Sequence, residues 1–368
     1  MISKMAQVLV HYSLNVKRGD LVWLVSDIEG LPLFEAIYKE AVKAGGNVMT
    51  TLIPPKCEEL FFKYASDEQL KFIPPDLMYN TEICTKRVRI TAPSNTRALS
   101  NVDPKKQSLV GSSRGKILKT MLDRSANGEV DWVVTQCPTQ ALAQEANMGF
   151  FEYEEFVYRA AHLDEDDPVA YLRAVEASQQ KLIDVLKEKK ELHFQTSGGT
   201  DLRVNVEGMH WMNSCGKRNF PDGEVFTGPN LNAKCGGVNG VVRYTFPAIW
   251  ENTVVEDVEL TFERGEVVLA KAKSNENFLN EIIAQDEGAK RLGEIAIGTN
   301  EKISQFTQNI LFDEKIGGTF HAALGMGYPE TGNTNQSSLH WDMICDLREG
   351  GTIHADGMLI SKDGVLAI

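Results

Sequence analysis

The chain has 368 residues, of which 42% are hydrophobic and 24% are charged, an ordinary globular composition that supports a sizeable core and, at this length, two domains. Its formal net charge of −13 argues against a surface for nucleic acid or for anionic membranes, because such surfaces need clustered lysine and arginine. No apolar run is long enough to span a membrane, and the first residues lack the apolar stretch of a secretory signal, so we expect a cytoplasmic protein without a membrane partner.

The first half of the chain shows alternating helix and strand patterns. An amphipathic helix is predicted over residues 1–14, a continuously apolar strand over 21–25, a helix over 32–44 and a strand over 47–53. The last three elements form a βαβ unit, which implies a right-handed crossover in an open, mostly parallel sheet. The segment after the first strand has a single glycine and therefore lacks the G-x-G-x-x-G pattern of dinucleotide-binding proteins. Further predicted elements are strands over 88–92 and 131–135 and helices over 58–72, 105–124, 139–147, 151–163 and 168–190.

The pattern changes after residue 188, where we place the boundary between an α/β domain of residues 1–188 and a second domain of residues 189–368. The second domain begins with short segments of alternating apolar and polar residues between Gly-rich and Asp/Asn-rich turns, which is typical of antiparallel sheets. We therefore expect an α+β domain with a largely antiparallel sheet. Its predicted elements are strands over 192–195, 201–206, 238–246, 254–262 and 266–272, helices over 278–283 and 288–292, and a closing hairpin over 351–360.

The stretch from Glu314 to Asp342 concentrates chemistry that suits a divalent metal ion. Among its residues are two imidazoles, His321 and His340, the carboxylates of Glu314 and Asp342 and the phenol of Tyr328, joined by glycines that permit close backbone approach. Imidazole and carboxylate groups are ligands for zinc, cobalt or manganese, and an adjacent acid can act as a base toward water. His340 and Asp342 are two positions apart, so on a strand both side chains leave the same face and can bind one ion.

Two other segments supply acidic residues. Glu224 lies between a turn and a strand that ends at a proline, and Glu294 lies where a helix gives way to the apolar residues 295–297. Taken alone, either residue is an ordinary surface glutamate. Glu294 differs slightly, because the residues that follow it are expected in the core.

The order of five segments resembles the M29 family of metallo-aminopeptidases. The segments are N-F-P-D-G-E-V-F-T-G-P at 219–229, D-E-G-A-K-R-L-G-E-I-A-I at 286–297, F-D-E-K-I-G-G-T-F-H-A-A-L-G at 312–325, G-Y-P-E-T-G at 327–332 and S-S-L-H-W-D-M at 337–343. The resemblance covers essentially the whole chain and is weaker in its N-terminal part.

The resemblance implies a two-domain enzyme, usually a homodimer, that removes N-terminal amino acids from peptides through a dinuclear metal centre in its C-terminal domain. Tyr328 matches a tyrosine at that centre, and Glu314 matches an acid that is a further ligand or a base. Carried over by motif, the ligands of the two divalent ions (Zn, Co or Mn) are Glu224, Glu294, His321, His340 and Asp342.

Three alternatives stay open at this point. His354 and Asp356 form a second H-x-D pair, although the pair at 340–342 lies within the matched segment. The same centre can serve a metal-dependent dipeptidase or an amidase that acts on a different amide. The third interpretation is not an enzyme: it is a binding module that a metal ion stabilises, without turnover.

Overall fold

The structure is a computed structural model that describes residues 1–251 and 253–367. The chain divides into two compact units, the first with Met1–Tyr171 and Gly216–Pro221 and the second with Leu172–Cys215 and Asp222–Ile368. The domain boundary predicted between residues 188 and 189 stays a prediction. In this division most of the helix over 168–186 belongs to the second unit, because its residues Leu182, Ile183 and Leu186 join the hydrophobic core there.

Most helices and strands predicted from the sequence are present, and their bounds differ in several places. The α-helices of the described residues are α1 (Ile2–Val8), α2 (Leu31–Lys43), α3 (Pro55–Tyr64), α4 (Asp67–Leu70), α5 (Pro75–Ile83), α6 (Pro104–Ala126), α7 (Gln140–Glu145), α8 (Phe150–Ala160), α9 (Pro168–Leu186), α10 (Glu276–Ile283) and α11 (Ile310–Asp313). The strands are β1 (Leu21–Asp27), β2 (Asn47–Ile53), β3 (Lys86–Thr91), β4 (Asp131–Gln136), β5 (Glu191–Thr196), β6 (Asp201–Asn205), β7 (Met212–Ser214), β8 (Asn219–Phe220), β9 (Glu224–Thr227), β10 (Val238–Arg243), β11 (Ala248–Trp250), β12 (Thr253–Val255), β13 (Glu259–Glu263), β14 (Glu266–Lys271), β15 (Leu292–Gly298), β16 (Thr319–Gly325), β17 (His340–Asp346), β18 (Gly351–Ala355), β19 (Met358–Lys362) and β20 (Val365–Leu366).

The first unit contains the parallel sheet that the βαβ pattern predicts. Its strand order is β2-β1-β3-β4-β8, and every neighbouring pair is parallel. Strand β1 lies between two neighbours, and its five central residues are all buried, as its continuous apolar run indicates. The mostly parallel sheet of the N-terminal half is therefore confirmed. The edge strand β8 was not predicted, because two residues are too few to show an alternating pattern.

Several local differences from the predicted elements have identifiable causes. The predicted helix over 1–14 ends in a π-helical turn, Leu9–Ser13. The predicted helix over 58–72 is two helices, because Ala65 and Ser66 are extended and Ser66 begins α4 with a capping box. The predicted strand over 254–262 is interrupted between β12 and β13, where Asp257 has a positive φ. Helix α5 was not predicted at all.

The second unit contains two larger antiparallel sheets. One has the order β14-β13-β10-β6-β5-β18-β19-β20, and the other has the order β17-β16-β15-β9-β7. Their facing residues share one hydrophobic core, in which the ring of Phe194 on β5 lies 4.4 Å from the ring of Phe320 on β16. The largely antiparallel sheet predicted for the C-terminal half is confirmed. The predicted helix over 288–292 is a single 3-10 turn, Glu287–Lys290.

Among residues 1–251 and 253–367, none of the helices combines the length with the apolar character that crossing a bilayer requires.

Candidate metal centre

Four neighbouring strands of the antiparallel sheet β17-β16-β15-β9-β7 carry the ligand-type residues predicted from the motifs. Glu224 begins β9, Glu294 lies in β15, His321 lies in β16, and both His340 and Asp342 lie in β17. Side chains alternate between the two faces of a strand, and the antiparallel register places these five residues on one face. Residues more than 100 positions apart in the chain are thereby gathered at one site.

The opposite face of the same strands is part of the hydrophobic core. Val225, Ile295, Phe320 and Trp341 each follow or precede a ligand-type residue by one position and are at most 1% exposed. One strand can therefore satisfy the core on one side and present a polar group on the other. This alternation explains how Glu294 lies in the fully buried strand β15.

Small residues separate the ligand-type side chains on the polar face. Ala323 is paired with both Glu294 and Asp342 and so lies between them. Ala296 is paired with His321, and Gly298 is paired with Glu224. Because none of these three spacers extends beyond a methyl group, the longer side chains can converge above the sheet.

The convergence is visible in the distances between side-chain atoms. Nε2 of His321 lies 3.3 Å from Glu224 Oε2 and 3.8 Å from Glu294 Oε1. Nε2 of His340 lies 3.4 Å from Glu294 Oε2 and 3.5 Å from Asp342 Oδ2. Glu294 therefore lies between the two imidazoles and directs one carboxylate oxygen to each.

Three sets of side chains among the described residues have the geometry of a metal-ligand group. Within each set, one ligand atom from each residue lies within 4.8 Å of the others. Glu294 belongs to two of the sets and His321 to two. The sets are Glu224–Glu294–His321, Glu294–His340–Asp342 and Glu314–His321–Asp342.

The donor set fits a divalent cation. Oε2 of Glu224 and Oδ1 of Asp342 are buried carboxylate oxygens without a hydrogen-bond partner among the residues that the structure describes, and leaving such atoms unpaired is costly. Mixed imidazole and carboxylate donors suit zinc, cobalt or manganese. A cation bound among these groups would supply the missing partner.

The protonation properties of the site show an excess of negative charge. Burial lowers the pKa of both imidazoles, yet the surrounding carboxylates outweigh it and raise the pKa of His321 to about 9 and that of His340 to about 10. Burial also acts to raise the pKa of Glu294, but the hydrogen bonds with the two imidazoles lower it to about 2. Burial and neighbouring acids raise the pKa of Glu224 to about 8 and that of Asp342 to about 6. The arrangement therefore favours positive charge at its centre.

Backbone contacts fix the orientation of two ligand-type residues. Nδ1 of His340 lies 2.9 Å from the carbonyl oxygen of Met326, so Nε2 is the atom directed at Glu294 and Asp342. The buried side chain of Gln179 donates from Nε2 to the backbone carbonyl oxygen of Glu224 at 2.5 Å. Such outer contacts commonly hold metal ligands in place.

The structure places the two predicted catalytic residues beside the same group. Glu314 follows α11 and belongs to the set with His321 and Asp342. The hydroxyl of Tyr328 lies 3.5 Å from Nε2 of His340, and its ring lies 5.5 Å from that of Phe226. Burial and the nearby carboxylates raise the pKa of Tyr328, so its phenol stays protonated and can donate a hydrogen bond.

One residue of the site received no role in the sequence analysis. Lys315 is fully buried, and its Nζ lies 3.3 Å from Glu224 Oε1 and in contact with Glu314 Oε1. The only sequence signal is its position between Glu314 and the apolar Ile316, in a stretch that also contains buried Phe320.

A comparison with protein families now decides the broader identity of the chain. Residues 1–364 match the family described as "Thermophilic metalloprotease (M29)". The chain belongs to the M29 metalloproteases. The resemblance stated from the motifs, and with it the expectation of a metal-dependent hydrolase, is confirmed.

Curated relatives of this M29 metalloprotease share about a quarter of its residues over nearly their whole length. Aminopeptidase AmpS of Bacillus subtilis is 28% identical, and the match covers 97% of this chain and 92% of the relative's chain. Aminopeptidase 2 of Geobacillus stearothermophilus is also 28% identical, with 98% and 92% covered. Aminopeptidase T of Thermus thermophilus is 27% identical, with 98% and 93% covered.

Two solved structures show how widely this M29 fold is shared. Wild-type AmpT from Thermus thermophilus superposes with a TM-score of 0.85 at 24% identity, covering 100% of this chain and 99% of its own. A 2,5-dihydroxypyridine dioxygenase from Pseudomonas putida KT2440 superposes with a TM-score of 0.59 at 12% identity, covering 100% and 96%. At these identities both comparisons concern the fold alone, and the fold supports more than one chemistry.

The second H-x-D pair of this M29 metalloprotease lies in a different environment. Asp356 is in a turn with positive φ, where its carboxylate accepts hydrogen bonds from the backbone of Lys190 and Glu191. His354 lies on β18 and is paired in register with His193 on β5. Among the described residues, no set with metal-ligand geometry includes His354 or Asp356.

Proposed function

We propose that this protein is a metal-dependent aminopeptidase with a dinuclear centre, which hydrolyses the N-terminal peptide bond of peptides. The observation that carries the proposal is the position of Glu294, which directs one carboxylate oxygen toward each of two imidazoles. A carboxylate in that position suits two ions held side by side. The aminopeptidase names of relatives that match over nearly their full length support the choice of substrate.

The proposed ligands are Glu224, Glu294, His321, His340 and Asp342, with Glu314 as a further ligand or a base. The ions are zinc, cobalt or manganese, in keeping with the mixed imidazole and carboxylate donors. Bound divalent ions supply Lewis acidity, which polarises the scissile carbonyl group and makes water a stronger acid.

The chain's own residues move the protons and stabilise charge. In the role of base, Glu314 takes a proton from the attacking water and delivers it to the leaving amine, acting as a general base and then as a general acid. The phenol of Tyr328 donates a hydrogen bond to the oxygen on which negative charge develops. The acidic residues of the site also attract the free α-ammonium group of a peptide, which favours removal of the first residue.

The test of this function is metal dependence combined with a requirement for a free N-terminus. Treatment with a chelator should abolish cleavage of an aminoacyl chromogenic amide, and addition of zinc, cobalt or manganese should restore it. The N-acetylated form of the same amide is the matched control and should not be cleaved. Full activity after complete metal removal, or equal cleavage of the acetylated amide, would contradict the proposal.

A pair of histidine variants tests the ligand set. His340→Ala should lower the metal content per chain, because it removes a proposed ligand, whereas His354→Ala should keep the wild-type content. Elemental analysis after desalting provides the measurement. Equal loss in the two variants would mean that the H-x-D pair at 340–342 was the wrong choice.

Two further expectations from the sequence stay predictions. The homodimer implied by the family resemblance can be tested by light scattering on the purified chain. The cytoplasmic location can be tested by fractionation of the cells that produce the protein.

A further inference from the structure

A lysine inside the candidate centre has no part in the chemistry described above. Lys315 is 0% exposed, although lysine is among the residues least often fully buried. A buried charge needs close partners, because removing it from water is costly. Lys315 Nζ lies 3.3 Å from Glu224 Oε1 and contacts Glu314 Oε1. These two carboxylates, and the charge of Asp222, attract the buried ammonium group.

The contact with Lys315 fixes which oxygen of Glu224 is free. Oε1 faces the ammonium group, whereas Oε2 faces Nε2 of His321 at 3.3 Å and has no hydrogen-bond partner. The backbone carbonyl oxygen of Glu224 is held by Gln179. Turning the carboxylate plane away would separate Glu224 from the fully buried ammonium group of Lys315, so the arrangement with one oxygen toward Lys315 and the other toward His321 is favoured.

The two carboxylate partners of Lys315, Glu224 and Glu314, belong to two of the three ligand-type sets and not to the third. One set contains Glu224, and another contains Glu314, and both of these sets contain His321. The remaining set contains none of the partners of Lys315 and consists of Glu294, His340 and Asp342. A change at Lys315 should therefore weaken the side of the centre around His321 most, because only Glu294 and Asp342 are common to that side and to the side around His340.

We infer that Lys315 is a positioning residue for one half of the metal centre. It holds Glu224 and Glu314, each of which forms a ligand-type set with His321, so that the half around His321 is prepared for a cation. The half formed by Glu294, His340 and Asp342 binds its ion without help from Lys315. The inference rests on the proposed dinuclear centre and concerns how its two sites differ.

The experiment compares zinc binding by the wild-type chain and by Lys315→Met. Methionine has a similar length without the charge. Competition with a chromophoric chelator gives the number of ions per chain and the affinity of each. We expect two ions in the wild type. In Lys315→Met we expect one ion with unchanged affinity and a second with affinity reduced roughly 10- to 100-fold, as for other residues that orient metal ligands.

Three further variants separate positioning from stability. Ile316→Val changes the neighbouring buried side chain without changing charge and should retain both ions. Lys315→Arg keeps the positive charge and should recover part of the lost affinity. If Lys315→Met does not fold, Asp222→Asn combined with Lys315→Met keeps the net charge of this region and should still show the weakened second ion.

The outcomes separate this inference from the proposed function. A folded Lys315→Met that binds both ions with wild-type affinity would overturn the inference, because Lys315 would then only fill space. Equal weakening of both ions in a folded variant would also overturn it. A wild-type chain that binds no zinc would overturn the proposed dinuclear centre itself.

Discussion

At the scale of single residues, the site depends on its smallest members. Ala323, Ala296 and Gly298 are paired with the ligand-type residues on the neighbouring strands. A larger side chain at any of these positions would occupy the space in which the carboxylates and imidazoles converge. The size of the spacers is thus as necessary for a metal site as the identity of the donors.

A valine scan of two adjacent alanines tests this dependence. Both Ala323 and Ala322 are fully buried, but Ala323 faces the ligand-type residues and Ala322 faces the core. Either alanine-to-valine change should lower the free energy of unfolding by about 1–3 kcal/mol through overpacking. Only Ala323→Val should also lower the metal content, measured by elemental analysis. Equal metal contents in the two variants would contradict the role of Ala323 as a spacer.

The phenol of Tyr328 is expected to act on the transition state alone. Tyr328→Phe should lower kcat and kcat/KM together by about 10²-fold, with KM and metal content little changed. Tyr158→Phe is the matched control, because Tyr158 lies on α8 in the first unit and bonds to Glu154. A Tyr328→Phe enzyme with near-normal kcat would remove Tyr328 from the mechanism.

The sequence predicted these residues to different degrees. The two-residue spacing of His340 and Asp342 correctly places both on one face of a strand. Glu224 and Glu294 were singled out only through the family resemblance, because an isolated glutamate carries no local sign of burial. Lys315 was missed because sequence patterns indicate exposure for lysine, and the partners that offset its burial come from β9 and from the end of α11.

At the scale of elements, an acidic residue outside the centre connects the segments that precede two ligand-bearing strands. Asp286 accepts hydrogen bonds from the backbone of Ala289, in the 3-10 turn before β15. It also accepts hydrogen bonds from Ser337 and Ser338, in the segment before β17. Burial acts to raise the pKa of Asp286, but these hydrogen bonds lower it below the ordinary value.

The pH dependence of stability should reveal this connection. Because the pKa of Asp286 is lower in the folded state, the carboxylate stabilises the fold above the unfolded-state value of 3.8, and this stabilisation is lost as the pH falls through the lowered pKa. Asp286→Ala should cost about 1–2 kcal/mol at pH 7 and progressively less below pH 4. Urea unfolding at several pH values provides the measurement. Glu287→Ala, at a side chain that is 92% exposed, should show no such dependence.

Element type was more predictable than element boundaries. Apolar runs and alternation gave most strands of the parallel sheet and of the eight-stranded sheet, because burial on two faces or on one face leaves a direct trace in the sequence. The bounds of the strands that carry the candidate centre were not predicted. The break between α3 and α4 depends on the extended backbone of Ala65 and Ser66, which no periodic pattern indicates. The pairing of β8 with β4 depends on residues 85 positions apart and could not be derived locally.

At the scale of the whole molecule, the fold excludes fewer possible reactions than the residues of the candidate centre do. A hydrolase-family chain and a dioxygenase have the same overall topology, so the donor set must decide the reaction. The excess of acidic groups around Glu294 and the formal charge of −13 both favour cations. Binding of divalent ions should therefore be linked to the stability of the entire chain.

Metal addition should raise the melting temperature of chelator-treated protein. A ligand that binds only the folded state stabilises it by about 2.7 kcal/mol when its free concentration is 100 times Kd. Thermal unfolding followed over a zinc or manganese titration should therefore shift upward with concentration. Magnesium is the control, because it prefers an octahedral set of oxygen ligands and should produce a smaller shift at the same concentration. A melting temperature independent of zinc and manganese would contradict a metal-binding fold.

Residues 216–221 belong to the first unit, although the residues on both sides of them belong to the second. This limits how the protein can be divided. The chain passes from one unit to the other after Tyr171, again after Cys215 and a third time after Pro221, two residues before Glu224 begins β9. A fragment that starts at Leu172 would carry β8 without β4 and would expose Phe220, which is fully buried in the intact chain. Domain exchange between relatives would therefore need three junctions, one after Tyr171 and two around the hexapeptide 216–221. A single truncation point would not yield an independent catalytic fragment.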